Sequence, residues 1–289
     1  MKQKIDNTIG GKKAKASSTV KTVILFALLL VYMLPFLIII VNSFKGKRAI
    51  VRTPLVLIDP HGPTIQNFVK AFEKMDFVKS FLNSTVITVV SVALIILVAS
   101  MTAYFFVRKN WKINKVIFAM MLTAMIIPFQ VIMIPLVSIY GGQLGLLDHR
   151  ATLIFMNVGF GIAMAVFIYH GFIKTGVPVS LEEAATIDGC NQVQIFFKIV
   201  FPLLKATTAT ITVLDVLWIW NDYLLPSLVL TKKSLFTLPL STYAFYGTYT
   251  IDYGAIMAAL VLTTIPVIVL YIFLQKQIIS GVVAGAVKA

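Results

Sequence analysis

The chain has 289 residues, 59% of them hydrophobic and 12% charged, with a formal net charge of +14 and a mean hydropathy of +0.93. Soluble domains carry about a quarter charged residues, so this composition excludes a soluble domain and places the chain in a bilayer. The single cysteine, Cys190, excludes internal disulfides and any thiolate metal cluster.

In chain order, residues 1–21 form a basic tail, lysine-rich and without a core to join. Residues 22–289 read as a single all-α transmembrane domain. About 20 apolar residues at 1.5 Å rise cross the hydrocarbon layer, and six such runs are predicted as helices: 22–43, 81–107, 116–139, 151–173, 205–226 and 254–275. Helices are required, because lipid leaves no partner for unpaired backbone groups. The first run follows a basic tail, as a signal peptide would, but it is too long for an h-region and lacks a clear small-residue cleavage site.

Between the first two spans, Pro54, Pro60, Gly62 and Pro63 precede the amphipathic piece NFVKAFEKMDFVKSF, which reads as a short helix along the outer interface. The basic hairpin RKNWKINK joins spans two and three on the cytoplasmic side. After span three, Gly141, Gly142 and Gly145 mark a turn outside the bilayer. The longest inner loop runs over 174–204. With both termini in the cytoplasm, fifteen Lys and Arg fall inside and ten outside, as the positive-inside tendency asks. The preference is not clean, since seven of the outer ten crowd the stretch from Lys45 to Lys79. A paired arrangement of interrupted helices, the mark of many secondary transporters, is not visible.

Pattern concentrates in the inner loop. Ser180 and Glu183 have capping-box spacing, which predicts a helix from Leu181 after the unfavourable Val177-Pro178. Ala184 and Ala185 leave part of that helix without bulk, so a foreign surface could approach its backbone. Gly189 permits a left-handed turn. A second amphipathic helix is expected beyond it, with Val193, Phe196, Phe197 and Val200 as its apolar stripe and Pro202 at membrane re-entry. From the residues alone, a helix resting on headgroups and a docking surface both stay open.

Catalytic patterns are not found. Gly171 and Gly176 have P-loop spacing, but Val177 stands where the phosphate-binding lysine belongs. His61, His149 and His170 lie on different segments without metal-ligand spacing, and no serine sits in a nucleophile elbow. In the fifth span, Asp215, Trp218 and Asp222 share one helical face near Asn221. A charge at mid-bilayer costs about 2.5 to 3.5 kcal/mol, so Asp215 should face protein or water. An acid beside an aromatic suits sugar hydroxyls and C–H faces. Equally, Asp215 could pair with a neighbouring helix or another subunit, with Trp218 as packing and Trp220 and Tyr223 as an outer aromatic belt. Tyr243, Tyr246, Tyr249 and Tyr253 read as an interfacial stripe in preference to a sugar platform.

The run Glu183-Ala184-Ala185, then Gly189, Ile199 and Pro202, resembles the EAA signature of membrane permease subunits of binding-protein-dependent ABC importers, a pattern covering twenty residues. The likeness extends through Asn42-Ser43-Phe44-Lys45, Asn83-Ser84, Ala103-Tyr104, Ile127-Pro128, Ile134-Pro135, Leu144-Gly145-Leu146 and Trp220-Asn221-Asp222-Tyr223, ending in Gly281 and Gly285-Ala286-Val287-Lys288. This set is similar to the carbohydrate-uptake branch, of maltose-permease type. Cys190, Phe201 and Ala289 depart from the usual alanine or serine, leucine and glycine.

The resemblance implies a six-helix permease fold with a cytoplasmic coupling helix, in the cell membrane of a prokaryote. It implies half of a sugar or oligosaccharide pathway, completed by a second homologous permease, fed by an extracytoplasmic sugar-binding protein and driven by a separate ABC ATPase dimer. ATP and Mg would be used by that ATPase. The chain itself is expected to catalyse nothing, hold no cofactor and contact no nucleic acid. Ser180, Glu183, Ala184, Ala185, Asp188, Gly189, Ile199 and Pro202 are the implied coupling residues. Asp215, Trp218, Asn221 and Asp222 are candidates for the substrate path. A permease for a non-sugar solute, or an ion-coupled secondary transporter, remains the alternative.

Overall fold

Long apolar helices dominate the computed structural model, which describes residues 12–57, 62–245 and 251–286. Most of the basic tail, His61, Tyr246, Tyr249, Val287, Lys288 and Ala289 lie outside the described residues. In chain order the helices are α1 (Lys12–Ser43), α2 (Lys47–Arg52), α3 (Gln66–Lys74), α4 (Phe77–Arg108), α5 (Lys112–Ala124), α6 (Phe129–Val137) with a wider π-type turn over Ser138–Gln143, α7 (Arg150–Gly176), α8 (Val179–Ile187), α9 (Gln192–Ile195) with a π-type turn over Phe196–Val200, α10 (Phe201–Leu203), α11 (Lys205–Asn221), α12 (Leu224–Val229), α13 (Leu238–Ser241) and α14 (Tyr253–Ala286).

Among the described residues, four stretches are long and apolar enough to cross a bilayer unbroken: Thr19–Ser43, Phe77–Arg108, Arg150–Gly176 and Tyr253–Phe273. The other two expected spans are bent pairs, α5 with α6 and its extension at 98°, and α9–α10 with α11 at 75°, so six crossings result if each pair is one span. The first break falls at Pro128, which caps α6 with extended backbone. Proline has no N–H to continue a helix and pushes the residue before it away from helical dihedrals.

The chain divides into two compact units, residues 1–71 with 247–261, and residues 72–246 with 262–289. In the first, α1 buries none of its apolar window. Lipid accepts a helix that is apolar on all sides, so this needs no polar face. Beyond α1 a buried polar knot holds the turn: Lys45 Nζ donates to the carbonyls of Thr53 (2.9 Å) and Pro54 (3.3 Å), and Asn67 Nδ2 donates to those of Ser43 (2.9 Å) and Lys45 (2.8 Å). Lys45 is 2% exposed. Carbonyl dipoles thus take the place of the water lost to its ammonium.

In the second unit α4 packs along α7, and α11 closes on both. Ile95, Ala99 and Ala103 of α4 meet a face of α7 that buries Leu153, Ala165, Val166, Tyr169 and Ile173. Small residues let the backbones approach, and between helices in lipid that close packing replaces the missing hydrophobic drive. Tyr169 Oη donates to Thr208 Oγ1 at 2.9 Å, tying α7 to α11. At the other end of α4, Asn83 Nδ2 donates to the carbonyls of Ser234 (3.1 Å) and Phe236 (2.9 Å), and Ser84 Oγ accepts from Leu238 N (2.7 Å). These bonds clip the loop before α13 onto the span.

The amphipathic piece after residue 66 is not one helix. Asp76 takes a left-handed conformation (φ 46°), which few side chains tolerate; α3 stops at Lys74, and Phe77 to Ser80 become the first turn of α4.

Candidate functional site

Pro178 opens α8 with extended backbone and no side-chain cap. The helix therefore begins at Val179, two residues earlier than the capping-box spacing predicts, and Ser180 lies inside the first turn. The other end is a Schellman closure: Cys190 N donates to Ala185 O (2.9 Å) and Gly189 N to Thr186 O (3.0 Å). Gly189 has φ +83°, the left-handed position that glycine occupies without a Cβ penalty. A capping box follows at once, Asn191 with Gln194, with both reciprocal bonds at 2.9 Å. That pair carries the sequence signature of a helix start, and it was readable beside the Ser180 pair that does not form.

One face of α8 turns inward. Glu182 is 8% exposed; its Oε2 accepts from Tyr104 Oη (2.8 Å) and its Oε1 from Arg108 Nε (2.8 Å) and Nη2 (2.6 Å). Arg108 Nη2 also donates to the carbonyl of Val177 at 2.9 Å. Removing one member of such a buried pair costs about 3 to 5 kcal/mol, because the other is left uncompensated. The α8 helix is therefore bolted to the end of α4. Ala185, 5% exposed, packs inward beside it.

The opposite face is open. Ser180, Glu183, Ala184 and Asp188 are exposed, together with apolar Val179, Leu181 and Ile187, the last 87% exposed. Past the turn, Val193 and Phe197 are also exposed, whereas Ile195, Phe196, Val200 and Leu204 are buried. The expected stripe of Val193, Phe196, Phe197 and Val200 is thus half correct: the π-type turn over Phe196–Val200 widens the helix and moves the buried face. Ile199 is half-buried and Pro202 exposed at the re-entry bend. The structure gathers Ser180, Glu183, Ala184 and Asp188 on one surface, buries Ala185 and half-buries Ile199 beneath it, and leaves Gly189 and Pro202 exposed at the turn and the re-entry bend.

On α11, Asp215 is 7% exposed and its Oδ2 has no hydrogen-bond partner among the described residues. Trp218 is 43% exposed, and with Asp222 it lines a cavity of about 360 Å³ whose walls include Phe129, Gln130 and Phe160. Asp215 and Asn221 are not among those walls. Asn221 Nδ2 donates to Leu217 O (2.7 Å), and Asp222 Oδ1 caps α12 by accepting from Leu224 N (3.0 Å). Trp220 is no interfacial belt residue, being 6% exposed and set edge-on to Phe81 with centroids 5.6 Å apart. Tyr223 remains exposed.

A second clasp joins the loops on the other side. Asp148, with φ 62°, accepts from Thr231 N (2.6 Å), Thr231 Oγ1 (2.6 Å) and Lys232 N (2.9 Å). The Thr231 hydroxyl, foremost, holds its carboxyl below the ordinary aspartate range, aided by the amides and the Lys232 charge.

Residues 95–283 match the family model described as "Binding-protein-dependent transport system inner membrane component". The chain is 41% identical over 96% of its length, and 99% of the relative's, to the probable starch degradation products transport system permease protein AmyC of Thermoanaerobacterium thermosulfurigenes. It is 36% identical over 89% of its length, and 92% of the relative's, to the melibiose/raffinose/stachyose import permease protein MelC of Bacillus subtilis. In fold it is similar to a chain in the crystal structure of a bacterial ABC transporter that imports the acidic polysaccharide alginate, with a TM-score of 0.78, 21% identity and coverage of 92% of this chain and 98% of that one. The chain belongs to the family of inner membrane components of binding-protein-dependent transport systems.

Proposed function

We propose that this chain is one of two homologous permease subunits of an ATP-driven importer for a sugar or oligosaccharide, with α8 as the part through which a separate ATPase dimer moves it. The names of AmyC and MelC support a saccharide cargo. One observation carries the coupling role. The helix exposes Leu181, Glu183, Ala184 and Ile187 on one side while Glu182 anchors the other to Tyr104 and Arg108 of α4. A push on the open face is delivered to a membrane span through a charge-assisted junction instead of being absorbed by a loose loop.

On this reading α8 and both termini lie in the cytoplasm, and the binding protein docks on the opposite side, where the Asp148 clasp holds the loops. Alternating access follows from ATP-driven closure below, and Trp218 with Asp222 contributes to the path that opens between subunits. The nucleotide and its Mg belong to the partner. In the reconstituted complex, Glu183→Lys and Gly189→Pro are expected to abolish sugar-stimulated ATP turnover while membrane insertion persists. Undiminished turnover in both variants counts against the docking role. Uptake that stops on ATP depletion, and survives loss of ion gradients, separates this account from ion-coupled transport.

A further inference from the structure

At the end of the bundle that carries α8, a cavity of about 590 Å³ opens between the last residues of α4, the start of α5 and the end of α7. Lys109, Lys115 and Lys174 line it, with no acidic side chain among its walls. None of the three lysines has an ion-pair partner among the described residues, and Glu182, the buried acid on this side, is committed to Arg108. The rest of the lining is largely apolar: Phe106, Val107 and Phe118 pack against the core on one side and border the cavity on the other, Phe118 being stacked on His170 with centroids 4.3 Å apart.

Lysines near helix C-termini have an ordinary explanation, since they offset the macrodipole there. That covers Lys109 and Lys174. It does not cover Lys115, which stands in the first turn of α5, where the dipole is positive and a cation is unfavourable. Three converging cations, one of them placed against its own helix, call for an anion. The half-exposed apolar side chains Phe106, Val107 and Phe118 beside them suit a ligand whose anionic head carries acyl chains.

We infer that this cavity is a binding site for the headgroup of an anionic phospholipid, with the lysines around the phosphate and Phe106, Val107 and Phe118 against the first methylenes. Basic pockets between helix ends recognise such headgroups. The site needs only that these helix ends meet a bilayer surface; that the surface is the cytoplasmic one rests on the reading above.

The test uses the transporter purified through the full chain in nanodiscs of phosphatidylcholine doped with phosphatidylglycerol or cardiolipin, with lipid retention counted by native mass spectrometry. Each Lys→Gln change is expected to weaken retention of the anionic lipid about fivefold, and the triple variant about a hundredfold. Lys112→Gln, on the same helix but outside the cavity, should retain lipid as the unaltered chain does, and Lys174→Arg should restore it. Thermal unfolding of each variant separates lost binding from lost folding.

Unchanged retention in a folded triple variant overturns the site. So does displacement of the lipid by millimolar inorganic phosphate or ATP, which would assign the lysines to a free phosphoryl ligand. Crosslinking of Lys109→Cys to another subunit, showing protein in the cavity, overturns it as well. Sugar-stimulated ATP turnover is scored separately, so a failure of the transport reading leaves these retention counts interpretable.

Discussion

Two buried acids in this chain live under opposite conditions. Glu182 has every oxygen engaged, by Tyr104 and twice by Arg108, whereas Asp215, equally buried, leaves Oδ2 without a protein partner among the described residues. The first arrangement is that of a structural joint: charge-assisted bonds of fixed geometry hold a short surface helix to a span. The second leaves a buried carboxyl oxygen free of protein bonds, as Asn42 Oδ1, Thr88 Oγ1 and Ser91 Oγ also are, but on a group whose charge makes the missing partner more costly. On the proposed function, the contrast separates a joint that would transmit force from a buried acid left open to another task.

Breaking the joint should have the largest effect. Glu182→Ala strands Arg108, and a loss of about 3 to 5 kcal/mol is expected, read as a fall in thermal stability of the purified transporter together with loss of sugar-stimulated ATP turnover. A double-mutant cycle with Arg108→Ala should recover most of that loss, and additive effects would deny the pairing. Next is Gly189→Val, which places a β-branched residue at φ +83° and costs about 1 to 2 kcal/mol in the turn itself. Its insertion should be normal and its turnover impaired. Asn191→Ala removes the capping box that starts α9 and should lower stability by about 1 kcal/mol. Asp215→Asn sharpens the contrast from the other side, since no bond is lost. Stability should not fall, because the change removes a buried acid that no partner compensates, and a transport rate that drops with stability intact marks a task for the carboxyl.

The Asp148 clasp gives a pH test outside the membrane. Its folded carboxyl is depressed relative to the unfolded one by the bonds from Thr231 and Lys232. Its contribution to stability is therefore present at neutral pH, above the unfolded value, and disappears as pH falls through the depressed value. Acid unfolding profiles of the native chain and Asp148→Asn should differ at neutral pH and converge in strong acid. Parallel profiles would remove the clasp from the account.

The sequence patterns reach different depths in different places. Apolar run length is enough to find the continuous spans, because a bilayer imposes it. It is blind to the 98° and 75° breaks within the other two, since a bent pair and a straight helix have the same apolar content. Pro128 was the available sign. In the inner loop the glycine turn is legible as a conformational requirement, but the buried face after it is not. A π-type turn moves side chains by a fraction of a register that helical periodicity assumes constant. The joint itself escaped for a related reason: Glu182 and Glu183 are adjacent acids of equal composition, and only the position of Arg108, 74 residues earlier, decides which one turns inward. Asp215, Trp218 and Asp222 have the spacing of one helical face, yet α11 ends at Asn221 and the cavity takes in only Trp218 and Asp222.

The central claim is that α8 is a lever, fixed to α4 beneath and seated in a foreign ATPase above. With Cys190, the sole cysteine, replaced by serine, single cysteines at Glu183, Ile187 and the inward Ala185 can be crosslinked in the assembled transporter during turnover. The account predicts capture of the ATPase from Glu183 and Ile187 and none from Ala185. Intact sugar-stimulated turnover with no capture from either exposed position would contradict it.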